Sequence, residues 1–408
     1  MECILSKLRI LNNRITIKRL IISLTMLLLS ACNRTHHISD RPTNEYIEDL
    51  DYLYYIISNN WPFSDTAYRI RGVDFSALVA ETRTYLESRE QIRDDLEFWN
   101  ILHSRIVEPI TPIGHFGILD ESFLKSSLSG LGALAHHGYP FLQTYIDVLD
   151  NTATRHFYRL TDNDFIFDDT AGDYQTTIQG NVTTDILEDG LIAYVRISTM
   201  SRSAMDSDGA ILLDFFRQVA DFEHLIIDIQ SNPGGASAFF YDLVIAPNIS
   251  EPLTVIYPWL VMAHDHNMMF LERYDFELTP VEEPFRNLNM RSYFETRIYP
   301  THDGIFSGQI WLLVDGGTFS AAGSAASTSK YGGFATLVGQ PTGSAGAGLD
   351  PFFLALPNTG IVFRYAPIYA TDPEGRNFYE FGVSPHFYNM SNKNALETTL
   401  YLIRSRQS

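Results

Sequence analysis

Ile310-Trp311-Leu312-Leu313-Val314-Asp315-Gly316-Gly317-Thr318-Phe319-Ser320-Ala321-Ala322 is the stretch whose reading decides the fold. Its first five residues are an apolar run bounded by turn residues, the pattern of a short buried strand. Asp, Gly and Gly then turn the chain. Ser320 opens a run of small residues, 320–330, that reads as a closely packing helix. A serine at such a strand–turn–helix junction sits on the first helical turn. Free N–H groups and the helix dipole can stabilise developing negative charge there.

Two further junctions flank this one in the same half of the chain. Leu225-Ile226-Ile227-Asp228-Ile229 runs into Gln230-Ser231-Asn232-Pro233-Gly234-Gly235. Paired glycines directly after a buried strand let backbone N–H groups face a cleft with no side chain in the way. The stretch 335–338 runs into Gly339-Gln340-Pro341-Thr342-Gly343-Ser344. A strand over 191–197, an amphipathic helix over 211–219 and an apolar pair at 352–356 and 361–366 complete the pattern. Strands alternating with helices predict an α/β layer around a largely buried sheet. A serine among Ala, Gly and Ser is commonly a helix-packing residue, so the weight rests on the three junctions in order.

That order resembles the core of the C-terminal-processing (tail-specific) serine peptidases over roughly residues 185–390. The residues carrying it are Asn232-Pro233-Gly234-Gly235, Gly317-Thr318-Phe319-Ser320-Ala321-Ala322 and Ala335-Thr336-Leu337-Val338-Gly339-Gln340-Pro341-Thr342-Gly343. The resemblance implies a crotonase-like (ClpP/crotonase) α/β core with a helical N-terminal domain. It implies no cofactor and no metal, with Ser320 attacking the scissile carbonyl. The oxyanion would be held by the N–H of Ala321 and of Gly234 or Gly235. Gly382-Val383-Ser384-Pro385 resembles the motif that closes this core, with His386 where Asp often stands.

The well-known members carry the lysine of a Ser–Lys dyad where this chain has Ala345. The other, tricorn-like branch uses a histidine from the N-terminal part and a glutamate near the closing motif. This chain offers His115, in a Gly-His turn, and Glu380, in Phe378-Tyr379-Glu380-Phe381-Gly382. The missing lysine, and Gly323 where relatives often carry Glu, leave open a second reading: a peptidase-fold protein that binds peptides or a partner without hydrolysis. A third reading, metal hydrolysis, rests on His264-Asp265-His266, two imidazoles that could chelate from a strand. It lacks a third ligand at a recognisable spacing. His136-His137 reads as a solvated turn.

Upstream, Leu50, Leu53, Tyr54 and Ile57 repeat at helical spacing. A second helix is expected after Asp74, running to about 88, and a third over 91–107. The strand-like 116–119 follows His115. Residues 120–185 are irregular, with a strand-like piece at 165–168. The N-terminus reads as a targeting signal. Lys7, Arg9, Arg14, Lys18 and Arg19 precede the apolar run Leu20–Leu29, which is too short to span a bilayer comfortably and ends in Leu29-Ser30-Ala31-Cys32. That ending resembles a bacterial lipobox, in which the cysteine is acylated and the chain is cut just before it. The expected organisation is a lipoprotein signal at 1–31, a tether at 32–45, a helical domain at 46–120, a connecting region at 121–185 and the peptidase core at 186–408. Cys3 and Cys32 are the only cysteines and both lie at this signal, so no disulfide framework exists. With 29 basic against 49 acidic residues, a nucleic-acid surface is disfavoured. The expected partners are a polypeptide substrate, such as a C-terminal tail, and a membrane reached through the lipid, outside the cytoplasm. Mass spectrometry of membrane-extracted protein should find the mature N-terminus at a lipid-modified Cys32, and an unmodified Cys32 there would overturn this reading.

Overall fold

The computed structural model describes residues 41–135, 142–165, 180–272, 276–285, 287–343 and 348–406. The signal, Cys32, His136-His137 and Ala345 lie outside them. The fold is mixed α/β, organised on a six-stranded sheet. Its strands are β1 (Val182–Glu188), β2 (Ile192–Ile197), β3 (His224–Asp228), β4 (Gln309–Val314), β5 (Thr336–Gly339) and β6 (Phe387–Tyr388). In space they run β6-β5-β4-β3-β2-β1. All neighbouring pairs are parallel except β1 with β2.

The apolar runs in β3 and β4 follow from burial on both faces, since a parallel sheet carries helices on each side. Ile226, Trp311, Leu313 and Val338 point to one face, against Ala395 and Ile403 of the C-terminal helix Ala395–Arg406. Leu225, Ile227, Leu312 and Val314 point to the other. There they join Leu212 and Phe216 of helix Met205–Gln218 and Ala321, Ala322, Ala325 and Ala326 of helix Ala321–Tyr331. The small residues of 321–331 thus let that helix lie close on the sheet, which fixes the height of Ser320 above the strand ends. Because β3, β4 and β5 are parallel and adjacent, all three glycine-marked junctions open on the same edge. That edge is where open α/β sheets bind ligands.

The N-terminal helices share one continuous core with this sheet. Helix Thr43–Asn60 buries Tyr46, Leu50, Leu53, Ile56 and Ile57, while Tyr54, expected on that face, is 37% exposed and stacks on Phe75. The second helix is Phe75–Glu87, capped by Asp74 as expected. The third starts later than expected, at Asp95, where the Asp94 carboxylate accepts from Glu97 N at 2.7 Å. Its end passes through a π-helical turn at His103–Val107. The connecting region holds helices Glu121–Ala135, Leu142–Leu149 and Thr152–Tyr158. In place of the strand expected at 165–168, Asp162–Phe165 forms a 3-10 turn, and 166–168 lie outside the described residues.

Two smaller antiparallel sheets were not expected as such. One orders Ile368–Ala370, Leu253–Val261, Leu288–Ile298 and Thr279–Phe285. The other joins the apolar pair, now Phe352–Ala355 and Val362–Tyr365, to the short strand Gly117–Ile118. This second sheet ties the chain just after His115 to the hairpin of Phe352–Ala355 and Val362–Tyr365.

Asp49 ties the first helix to the hairpin of that sheet. Its buried carboxylate accepts from Asn358 N at 2.8 Å, Thr359 N at 2.9 Å and Thr359 Oγ1 at 2.6 Å. Asp49→Ala leaves these donors without their acceptor and should cost about 3 kcal/mol, read as a lowered urea midpoint at unchanged m-value. A midpoint equal to wild type would show that the hairpin is held without Asp49.

Candidate active site

Ser320 stands between β4 and helix Ala321–Tyr331 with φ 54° and ψ −123°. L-residues rarely adopt a positive φ, and holding one there costs on the order of 1–3 kcal/mol. Neighbouring groups fix it. Phe319 N donates to Asn232 O at 3.0 Å, and Ser324 N donates to Ser320 O at 2.9 Å. Thr318 Oγ1 donates to Ile229 O at 3.0 Å. The Asp315 carboxylate gathers Gly317 N, Thr318 N and, from the other loop, Ser231 N at 2.8–3.1 Å. The junctions after β3 and β4 are therefore laced together, and the serine hydroxyl is presented on a tight elbow.

His115 arrives from the helical layer in a turn of similar tension, with Gly114 at φ 57° and His115 at φ 50°. Trp61 Nε1 and Ala366 N both donate to Gly114 O, at 3.3 and 2.7 Å. A methyl group on Gly114 would approach Trp61 Nε1 to 2.3 Å, so glycine is required by packing as well as by φ. The turn delivers His115 Nε2 to 3.2 Å from Ser320 Oγ. Its other nitrogen, Nδ1, shares a hydrogen bond with the Tyr379 hydroxyl. Phe319 packs against the ring at 5.2 Å. Burial, and then the charge of Arg364, push the His115 pKa down to about 3.

Of the expected oxyanion donors, Gly234 N is already committed to Asn232 Oδ1 at 2.9 Å. The bonds stitching this loop to Met200 use Gly234 O, at 2.9 Å, and Ala236 N, at 2.7 Å. Gly235 N and Ala321 N keep no partner among the described residues, and both residues line the cleft beside Ser320. Ala321 is also the first residue of its helix, where an N–H lacks an intrahelical acceptor. Gly234 and Gly235 are both fixed as glycine by sterics. A Cβ on Gly235 would fall 2.1 Å from Met200 O, and one on Gly234 would fall 2.7 Å from Phe319 O.

Glu380 does not reach His115. Arg69 Nε and NH2 hold its two oxygens, at 2.7 and 2.5 Å, pinning helix Ser64–Arg71 to the turn Phe378–Phe381. Consecutive residues on a helical turn point in different directions, and it is Tyr379, one residue earlier, that faces the imidazole. Glu380 is held in an ion pair with Arg69, and the Tyr379 hydroxyl takes the place at the ring. A sequence offers no signal for the exchange, because a phenol beside a carboxylate is not read as its substitute. His386 does have a reading in the structure. Its N–H donates to Leu337 O and its Nδ1 accepts from Leu337 N, both at 2.9 Å, so the ring continues the ladder beside β5. Lys330, on the helix behind Ser320, donates to Ser384 O at 2.8 Å. His264 precedes helix Asp265–Leu271 and His266 lies in its first turn, not on a strand. Among the described residues, no group of three His, Cys, Asp or Glu side chains is placed to hold a metal ion.

Residues 191–388 match the model of peptidase family S41. That stretch is similar to a family S41 domain. It contains Ser320 and all three glycine-marked junctions, while His115 reaches it from outside. Two solved structures share the fold over most of the chain. One is a putative peptidase from Parabacteroides merdae, with TM-score 0.54 and 16% identity, covering 89% of this chain and 97% of that one. The other is mature CPAF complexed with lactacystin, with TM-score 0.53, 14% identity and the same coverages. At these identities the likeness is one of fold. No curated protein matches in sequence.

Proposed function

We propose that this chain is a serine peptidase of the lysine-less, tricorn-like type, with Ser320 as nucleophile and His115 as base. The observation that carries the proposal is His115 Nε2 at 3.2 Å from Ser320 Oγ, in a cleft that also exposes two uncommitted backbone donors. The parallel sheet is then a crotonase-like core. Ser320 Oγ attacks the peptide carbonyl as its proton passes to His115 Nε2. The carbonyl oxygen becomes an oxyanion between Gly235 N–H and Ala321 N–H, the latter at a helix N-terminus that favours negative charge. The imidazolium returns the proton to the leaving amine, and water, activated by the same ring, releases the acyl group from Ser320. The mature chain is tethered through Cys32 outside the cytoplasm and acts on extracytoplasmic polypeptides, their C-terminal tails among them.

One observation favours the non-hydrolytic reading: Nδ1 of His115 faces a neutral phenol and not a carboxylate, so the imidazolium lacks its usual partner. Digestion of a peptide library separates the two. Ser320→Ala and His115→Ala should each abolish cleavage, and the double variant should lose little more than either, because groups acting as a unit are non-additive. A His115→Ala protein that cleaves normally would refute the base. A wild-type protein that binds peptides without cutting them would establish the alternative.

The pH profile gives a second test. The base must be neutral to act, and burial with the Arg364 charge holds its pKa at about 3, below the ordinary 6.5. A lowered pKa keeps the competent form at lower pH, so kcat/KM should stay flat from about pH 7 to about pH 5. An inflection near the ordinary histidine value would show that the ring is solvated in the working enzyme.

A further inference from the structure

Resting on the reading of Ser320 and His115 as nucleophile and base, we infer that Tyr379 is the positioning residue that selects the tautomer and orientation of His115. It holds the place at Nδ1 that a triad carboxylate holds in other serine hydrolases. Three observations carry the inference. The Tyr379 hydroxyl is hydrogen-bonded to His115 Nδ1 while Nε2 faces Ser320 Oγ, so one ring links both groups. The phenol itself is fixed: Tyr379 N donates to Asn377 Oδ1 at 3.0 Å, and its ring meets Phe63 edge-on at 4.7 Å. The carboxylate next to it, Glu380, is engaged by Arg69.

The tautomer follows from proton counting. To accept from Ser320, Nε2 must carry a lone pair, so the ring's one proton sits on Nδ1 and is donated to the phenol oxygen. Burial holds the Tyr379 pKa far above its ordinary value, so the phenol stays protonated, and its own hydrogen must be directed to a second acceptor. Tyr379 lines the cleft, and an acceptor of the right kind there is a backbone carbonyl of the bound polypeptide. Without such an acceptor, the phenol donates to Nδ1 and leaves a proton on Nε2, where it blocks the base. The hydroxyl thereby couples occupation of the cleft to the competent form of His115. The change of tautomer breaks the Nε2–H bond and forms the Nδ1–H bond. The proton lost from one nitrogen is exchanged with water that reaches the cleft and one proton is returned to the other, so the ring stays neutral and the proton count of the Tyr–His pair is the same before and after.

The test is Tyr379→Phe, which keeps the ring and its packing and removes one oxygen. Histidine-selective 15N NMR of the Ser320→Ala protein reads the tautomer directly, with and without a bound peptide and with no need for turnover. Peptide should drive His115 toward the Nδ1–H form when Tyr379 is present and should fail to do so in Tyr379→Phe. In the active background, reaction of Ser320 with a fluorophosphonate and kcat for peptide should both fall about 10²-fold, with KM little changed. Thermal melting of the variant at the wild-type temperature confirms that the fold is kept. An identical tautomer response in Tyr379→Phe, or a response lost instead in Glu380→Gln, would overturn the inference. Failure of wild-type protein to cleave any peptide would count against the peptidase reading and leave the tautomer measurement to decide the role of Tyr379.

Discussion

The conformation of Ser320 is the constraint on which the rest of this structure depends. With φ at 54°, the residue gives up roughly 1–3 kcal/mol that an ordinary helix start would keep. A single hydrogen bond, worth about 1 kcal/mol net, could not hold it. The surroundings therefore supply several at once, from two loops that meet only because β3 and β4 are parallel neighbours. Asp315 is the hub: one carboxylate takes donors from its own turn and from Ser231 on the other loop. The glycines after β3 close against Met200 and the elbow at distances that leave no room for a methyl group. The elbow and the two free N–H groups thus form one rigid object, anchored to the most buried strands of the molecule.

The second constraint is that the imidazole is supplied by a different layer. His115 lies 205 residues before Ser320, yet the contact is fixed because the helical layer and the sheet share one core. Trp61, Phe63 and Phe116 pack around the Gly114 turn, and the strand Gly117–Ile118 pairs with Val362–Tyr365 immediately after it. His115 is accordingly clamped on both sides, by aromatic packing before it and by a ladder after it. In such a construction the N-terminal helices are part of the active-site scaffold.

How much of this was legible in the sequence depended on whether the signal was local. Strands β3 to β5 were readable because burial on both faces demands unbroken apolar runs, and Ser320 because a small-residue helix directly follows one of them. The Gly-His turn was visible as a turn, and in the structure Gly114 adopts the positive φ that glycine tolerates there. Leu253–Val261 escaped because Pro258 interrupts its apolar run, and Leu288–Ile298 because two of its buried positions are the polar Ser292 and Thr296. Tyr54 was placed on the wrong face because one turn of a helix carries apolar residues on both sides, and only Phe75, far along the chain, decides which is covered. The pairing of Glu380 was hidden for a similar reason. Its partner Arg69 lies 311 residues away, and nothing in the Phe378-Tyr379-Glu380 triplet reveals which side chain turns inward.

The electrostatics of the pair differ from those of a carboxylate triad in a way that bears on catalysis. Arg364 lies close enough to lower the proton affinity of His115, and its buried Nε has no hydrogen-bond partner among the described residues. Its guanidinium stacks over Phe123 at 4.6 Å. In the proposed mechanism such a cation opposes the imidazolium that forms when Ser320 gives up its proton. The same step, however, creates an oxyanion on the substrate, and a cation favours that charge. The two products of the transfer carry opposite signs and form together, so the effect of Arg364 on the barrier is the difference between two opposed terms. A depressed resting pKa measures only the unfavourable one. A base that is weak in the empty cleft is therefore compatible with an effective one in the transition state, where the relevant field acts on a separated charge pair and not on a lone imidazolium.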